Sequence, residues 1–369
     1  MLNKNKILKH IDYGILFSVI ALIIIGLVTI SSATHAFSED GNMRNLLMQA
    51  AYGAVAIVIG VFLVKLDYNI IGGYYKIFYA VGIVGLIAVL IFGSERNGAK
   101  AWLGIGPFGI QPAEFFKLIM IITVAKVLEE MEDINTLKNL GKIAAVVIPP
   151  MALIQLQPDT GTNLIFAATI FGMLFYAGLD KKIILGGFGA GVTAVLAVWF
   201  LDILKPYQKF RILVFLNPEL DIRGQGYNAY MAKTAIGAGG FFGSGLYNGT
   251  MTEGNFIPEL HTDFIFSVFA EEWGFLGAIA LLALYLNIIW RGIKIARASK
   301  DKFGTYLIVG ILSMLTFQIL QNIGMDIGLM PITGIPLPFI SYGGSSLLTN
   351  ILALSLVLNV GVRKQKINF

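Results

Sequence analysis

Between Tyr13 and Gly361 the chain returns ten times to an apolar run of about twenty residues, and this repetition leaves few folds open. The runs fall at 13–32, 46–64, 70–93, 112–128, 142–157, 162–178, 183–203, 264–290, 304–324 and 337–361. They are longer than the strands of a membrane barrel and do not alternate apolar with polar, so helices are the spanning element they specify. Only QPDTGT (157–162) parts the fifth run from the sixth, so hydropathy by itself gives nine or ten helices. The expected fold is an all-α integral membrane protein: one polytopic bundle of about ten transmembrane helices spanning residues 1–369. A water-soluble core could not absorb such a chain, because 56% of it is hydrophobic and only 13% charged, about half the charge of a soluble domain.

The charged residues set the orientation. The basic start, MLNKNKILKHIDYG, resembles a signal peptide, but its apolar run is long for one, no small-x-small cleavage site follows cleanly and more runs come after it. It reads as a retained first helix. Placing the N-terminus in the cytoplasm puts eighteen of the 27 lysines and arginines on the inner side, so both termini are expected to be cytoplasmic. The net charge of +5 then reflects membrane orientation rather than nucleic-acid binding. Fourteen of the 22 carboxylates fall outside or at outer helix ends, which points the chemistry to the extracytoplasmic face. With no cysteine, disulfides, thiolate metal sites and a cysteine nucleophile are excluded.

Residues 204–262 form one long extracytoplasmic loop with an amphipathic stretch, NAYMAKTAI, and a glycine-rich one, GAGGFFGSGLYNGT. No GK[ST] follows the glycines, so they read as a flexible connection rather than a phosphate cradle.

Ionisable groups within or at the rim of apolar runs are costly and mark functional candidates. Asp263 opens the eighth run, where a carboxylate suits the positive end of a helix; Thr262 could cap instead and leave Asp263 free. Glu271 follows about 12 Å further along and about 80° around, while Glu272 points away; both are expected to be held by a basic partner. Glu114 and Lys117, three apart after Pro112, suit an ion pair or, for Lys117, anion binding. Asp159 suits a helix cap. Ser341 and Ser345, in PFISYGGSS (338–346), suit close packing or a broken helix. Trp102 suits an interfacial anchor. With three histidines and no cysteine, His261 does not make a transition-metal site.

Four stretches in this order, GAKAWLGIGPFGIQPAEFFKL, QPDTGT, IPELHTDFIFSVFAEEWGFLG and PLPFISYGGSS, resemble the SEDS proteins (shape, elongation, division, sporulation), and within them the RodA-like members. The resemblance implies a multi-pass protein of the bacterial plasma membrane. It implies a peptidoglycan glycosyltransferase that polymerises lipid II into glycan strands, with Asp263 as its essential carboxylate. It also implies roles for Trp102, Glu114, Lys117, Asp159 and Lys233. A class B penicillin-binding protein, a transpeptidase, is the implied partner, alongside membrane lipids.

In that reaction an acceptor 4-hydroxyl displaces undecaprenyl pyrophosphate with inversion. One positioned carboxylate takes the proton, and the leaving group needs cations rather than an acid. Lys117, Lys100, Arg211 and Lys233 are the candidates, and magnesium or manganese could share the task. Glu271, Ser341 and Ser345 are expected to support the site. Family members usually carry basic residues where this chain has Ala101 and Gly109, a serine at Ala113 and a glutamine at Met251, so the phosphate contacts are expected to differ. Two alternatives share the same spans: a lipid II flippase, and a non-catalytic scaffold for a transpeptidase.

Overall fold

The structure, a computed structural model, describes residues 9–35, 39–96, 99–104, 109–187, 189, 193, 209–210, 213–215, 217–221 and 224–364. Twelve helices and one hairpin organise this part: α1 (Tyr13–His35), α2 (Glu39–Lys65), α3 (Tyr68–Gly73), α4 (Tyr75–Phe92), β1 (Ser94–Arg96), β2 (Ala99–Trp102), α5 (Pro112–Glu129), α6 (Leu137–Leu156), α7 (Thr160–Tyr176), α8 (Gln225–Ala238), α9 (Thr250–Glu253), α10 (Ile265–Arg297), α11 (Lys302–Asp326) and α12 (Gly344–Arg363). A 3₁₀ turn covers Pro218–Asp221. Seven helices, α1, α2, α4, α6, α10, α11 and α12, are long and apolar enough to cross a membrane. Helix α7 is apolar but one residue shorter than the shortest of these, and α5 carries four charges, Glu114, Lys117, Lys126 and Glu129. The expected seventh span, 183–203, lies for the most part outside the described residues.

Side chains near each boundary fix where helices begin. Asp12 Oδ1 accepts from the N–H groups of Gly14 and Ile15 at 3.0 and 3.1 Å and pairs with Arg291 Nη1 at 3.0 Å, which ties the far end of α10 to the start of α1. Thr136, Asp159 and Asp301 cap α6, α7 and α11 by accepting from Asn139, Thr162 and Gly304 N–H groups.

The bundle is centred on α12 and α11. In α12, 83% of the spanning stretch is buried, against 11% in the peripheral α4. Outer helices instead present large apolar side chains such as Phe17, Val58 and Phe92 to their surroundings, as a lipid-facing surface requires. Lipid gives no hydrophobic drive between helices, so close packing and hydrogen bonds hold the centre. Accordingly α12 buries Ser345, Ser346, Ala353, Ser355 and Gly361.

The structure departs from the expected spans in four places. The third run is broken at Tyr74 into α3 and α4. A two-stranded antiparallel hairpin, Ser94 opposite Trp102, interrupts the all-helical pattern after α4; its strands of three and four residues are too short to register in hydropathy. The last helix starts at Gly344 rather than 337, because Pro336 and Pro338 cannot donate to a helix and Phe339 is in the left-handed region at φ 69°. Finally, α10 runs on to Arg297 and is broken internally at Gly274, φ 64°.

Candidate active site

Asp263 lies at the end of the turn that leads into α10. Glu259 begins that turn in the left-handed region at φ 56°, and its carbonyl accepts from Thr262 and Asp263 N–H groups at 3.2 Å. Neither of the two capping alternatives holds. Phe264 occupies the cap position, and Thr262 Oγ1 donates to Glu259, at 3.2 Å to its carbonyl and 3.1 Å to Oε2. Asp263 is therefore not consumed as a cap.

The carboxylate is half-buried, and among the described residues no ion pair involves it. Burial, and secondarily the Glu259 charge, push its pKa up from 3.8 to about 6, against a smaller lowering by Thr262. Burial holds the neighbouring His261 imidazole below its ordinary value, so at neutral pH it brings no positive charge to Asp263.

Two other elements close around this turn. Asn322 Nδ2, near the end of α11, bridges the carbonyls of Asp263 (2.8 Å) and Ile335 (2.9 Å). One turn later Asp326 Oδ2 accepts from Ser267 N–H at 3.1 Å and Ser267 Oγ at 3.0 Å, so the last residue of α11 caps α10 from outside. The irregular 331–343 segment supplies the facing wall. A Cβ at Gly334, φ 69°, would come within 3.4 Å of Asp263 Oδ2, so the glycine keeps that side of the carboxylate open. The segment is pinned by Tyr342 N–H to His261 O (2.8 Å), Gln49 to Ser341 O and Gly343 N–H (both 3.1 Å), and Tyr285 OH to Pro338 O (2.6 Å). Left-handed residues at Glu259 and Phe339 on both walls are the kind of backbone strain that collects at functional sites.

Among the described residues Glu271 and Glu272 have no basic partner, contrary to the expectation from their burial. Glu271 accepts from Met251 N–H (2.8 Å), Thr252 N–H (3.1 Å) and Thr252 Oγ1 (2.7 Å), and so caps α9. Glu272 accepts from Tyr247 N–H at 3.0 Å and from Ser32 Oγ of α1. Backbone amides and hydroxyls replace the missing cation.

The glycine-rich stretch is likewise not a flexible connection. At the Gly274 break, Ser244 and Gly245 donate to the carbonyls of Glu271 and Glu272 at 3.0 Å, and Phe275 and Leu276 donate to Gly240 and Phe241 at 3.0 and 3.2 Å. The loop thus takes up bonds that the broken helix releases. A Cβ on Gly274 would collide with Gly243 N, so the crossing requires glycine.

The remaining candidates are spread over several elements. Gln111, just before α5, joins three helix starts: its N–H donates to Ser345 Oγ (3.1 Å) and its Nε2 to Asp159 Oδ2 (3.0 Å), while Asp159 caps α7 through Thr162. Lys117 is buried, with Nζ 2.8 Å from both oxygens of Glu114. Ser341 Oγ accepts from Leu337 N–H at 2.7 Å. Lys100 Nζ donates to the Leu90 and Ile91 carbonyls at 2.8 and 3.3 Å and closes the end of α4, while Trp102 ends β2, half-buried. Lys233, exposed on α8, lays its ammonium against Gly328, two residues beyond α11. Arg211 lies outside the described residues. Of the departures from the family pattern, Ala101 and Ala113 are buried and Met251 supplies an N–H to Glu271.

Asn322, Ser267 and Gly334 were not singled out by sequence; an asparagine four residues before Asp326 on an apolar helix was the available signal. Among the described residues no three His, Asp or Glu side chains gather into a metal-ligating cluster.

Comparison with known proteins places this geometry. The model of the FtsW, RodA and SpoVE cell cycle proteins matches residues 13–366. The chain is 34% identical to the peptidoglycan glycosyltransferase MrdB of Escherichia coli K12, covering 97% of this chain and 95% of that one. It is 36% identical to the stage V sporulation protein E of Bacillus subtilis 168, covering 95% and 96%. Among solved structures it superposes on a chain from a peptidoglycan synthase complex that coordinates polymerization and crosslinking, with a TM-score of 0.83, 33% identity and coverage of 95% and 97%. It also superposes on the rod shape determining protein RodA of Thermus thermophilus, with a TM-score of 0.72, 29% identity and coverage of 96% and 98%. Motifs, helices and relatives agree over nearly the whole length: this multi-pass membrane chain belongs to the FtsW/RodA/SpoVE family of bacterial cell cycle proteins, the SEDS proteins.

Proposed function

We propose that this chain is a peptidoglycan glycosyltransferase that polymerises lipid II at the outer membrane face, with Asp263 as general base. The observation that carries the reading is an Asp263 carboxylate half-buried at a helix end, unpaired with any described cation, and raised to about 6. A general base works best with a pKa near the operating pH. At neutral pH this carboxylate is mostly ionised, yet more basic than an exposed aspartate.

The acceptor 4-hydroxyl attacks the donor anomeric carbon and gives its proton to Asp263. The new C–O bond forms as the bond from that carbon to pyrophosphate breaks, and the electron pair leaves with undecaprenyl pyrophosphate. A single displacement turns the α linkage into a β linkage. The leaving group carries its own charge, so cationic stabilisation replaces a general acid. Lys233 is the exposed cation beside the end of α11 and is assigned this role. Lys117 is engaged with Glu114 and Lys100 with α4 carbonyls, so both support the frame. A class B penicillin-binding protein is the proposed partner, consistent with the relative that forms part of a peptidoglycan synthase complex.

The test is polymerisation of lipid II by the purified chain, with and without the partner. Wild type makes polymer and Asp263→Asn does not. Translocation of lipid II across vesicles without polymer would instead support the flippase, and full activity in Asp263→Asn would refute the assignment of the base.

A further inference from the structure

At the end of the bundle away from Asp263, α7, α10 and α11 enclose a second feature. Helix α11 has 25 residues and is about 38 Å long at 1.5 Å per residue, so its first turn lies at the opposite membrane face from Asn322 and Asp326. There a cleft of about 440 Å³ opens between Tyr176, the last residue of α7, and the α10–α11 connection with Ser299, Lys300, Lys302 and Tyr306. Tyr176 and Tyr306 form its wall, their rings meeting edge to face at 6.1 Å. Lys300 and Lys302 are exposed beside it.

The one carboxylate at the cleft is turned inward. Asp301 Oδ1 accepts from Gly304 N–H at 2.8 Å, and Oδ2 accepts from Tyr68 OH at 2.6 Å and Asn69 Nδ2 at 3.2 Å. Two ammonium groups therefore face the opening while the negative charge is engaged elsewhere. An apolar ridge leads away from it along α7: Phe175 and Phe171, 63% and 51% exposed, set their tilted rings 6.1 Å apart next to Tyr176.

We propose that this cleft binds the phosphodiester head group of an anionic phospholipid from the leaflet at that face, with Lys300 and Lys302 on the phosphate and an acyl chain along Phe175 and Phe171. Basic clefts between helices, rimmed by interfacial tyrosines, suit such head groups. The ridge distinguishes a lipid from a free anion, which has no use for it. The site is remote from the chemistry at Asp263 and does not depend on it.

The test places the full-length protein in phosphatidylcholine vesicles with spin-labelled phosphatidylglycerol or spin-labelled phosphatidylcholine and measures the immobilised fraction of each. The wild type selects phosphatidylglycerol. Each lysine replaced lowers that preference by about fivefold, so Lys300→Gln/Lys302→Gln loses most of it and Lys300→Gln alone loses part, both with unchanged thermal unfolding. Lys138→Gln/Lys142→Gln removes the same charge from the start of α6 and leaves the preference intact. Equal loss in that control would reduce the effect to diffuse surface charge and overturn the site. So would a preference that survives the Lys300/Lys302 replacement, or displacement of the lipid by millimolar inorganic phosphate.

Discussion

Asp326, the last residue of α11, accepts two hydrogen bonds from Ser267 in the first turn of α10, 3.1 Å from N–H and 3.0 Å from Oγ. A cap supplied by one helix to another fixes both the entry angle of α10 and the height of Asp263, one turn earlier. Asp326→Ala removes the acceptor of Ser267 Oγ and one of the two acceptors of its N–H, the other being Phe264 O. The expected loss is about 1–2 kcal/mol of stability, with a fall in polymerisation. Asp326→Asn keeps an acceptor oxygen and stays close to wild type. Thermal unfolding in detergent and lipid II turnover measure the two effects.

Replacing the proposed base separates stability from activity. Asp263→Asn is expected to lower turnover by about 10²–10⁴-fold, the span assigned to general base catalysis. Its folded-state pKa of about 6 exceeds the ordinary 3.8, so ionisation penalises the folded state. Between these values the folded chain binds more protons than the unfolded one, and stability falls as pH rises. Above pH 6 the penalty is complete. The asparagine variant should therefore unfold at a higher temperature than wild type at pH 7–8, and the difference should vanish below about pH 4.

The same group sets the acid limb of the activity profile. Turnover is expected to reach half its plateau near pH 6 and to fall with each further unit of acid as Asp263 is protonated. Glu259 adds to the upward push, so Glu259→Gln should move the limb to lower pH. A limb that stays in place would mean that another group governs it.

Much of this arrangement was legible beforehand, for physical reasons that differ by residue. Long apolar runs specify helices because lipid leaves backbone groups no other partner, and nine of the ten expected runs coincide with described helices. The Glu114–Lys117 pair followed from a three-residue spacing, which is local. What escaped was non-local. The trans cap on Ser267 comes from a residue 59 positions away. The anchors of Glu271 are backbone amides of a loop that hydropathy reads as polar spacer. A buried carboxylate demands a partner, but sequence does not say whether that partner is a side-chain cation or a row of N–H groups.

The buried pair on α5 allows a cycle. Lys117 and Glu114 are almost fully enclosed, with ammonium and carboxylate 2.8 Å apart. Lys117→Met leaves an uncompensated buried carboxylate and is expected to cost about 3–5 kcal/mol. Glu114→Gln leaves the converse charge. The double variant carries neither charge and should recover most of the loss, which chemical denaturation of the three variants would show as a coupling energy.

Glu271 offers the sharpest distinction between a charge and a pair of acceptors. Its two oxygens are used separately: Oε1 takes Met251 N–H, and Oε2 takes Thr252 N–H and Oγ1. A glutamine keeps one acceptor and turns the other into a donor facing donors. Glu271→Gln is therefore expected to weaken the loop nearly as much as Glu271→Ala, whereas a carboxylate needed only to balance a cation would separate the two. Gly249 packs against the same group, since a Cβ there would come within 2.7 Å of Oε2, so Gly249→Ala should reproduce the effect from the other side. The loop closes the Gly274 break below Asp263, and each of these variants should raise amide exchange at 240–252 before it lowers global stability. Exchange confined to wild-type levels in Glu271→Gln would show that the carboxylate does not hold the loop.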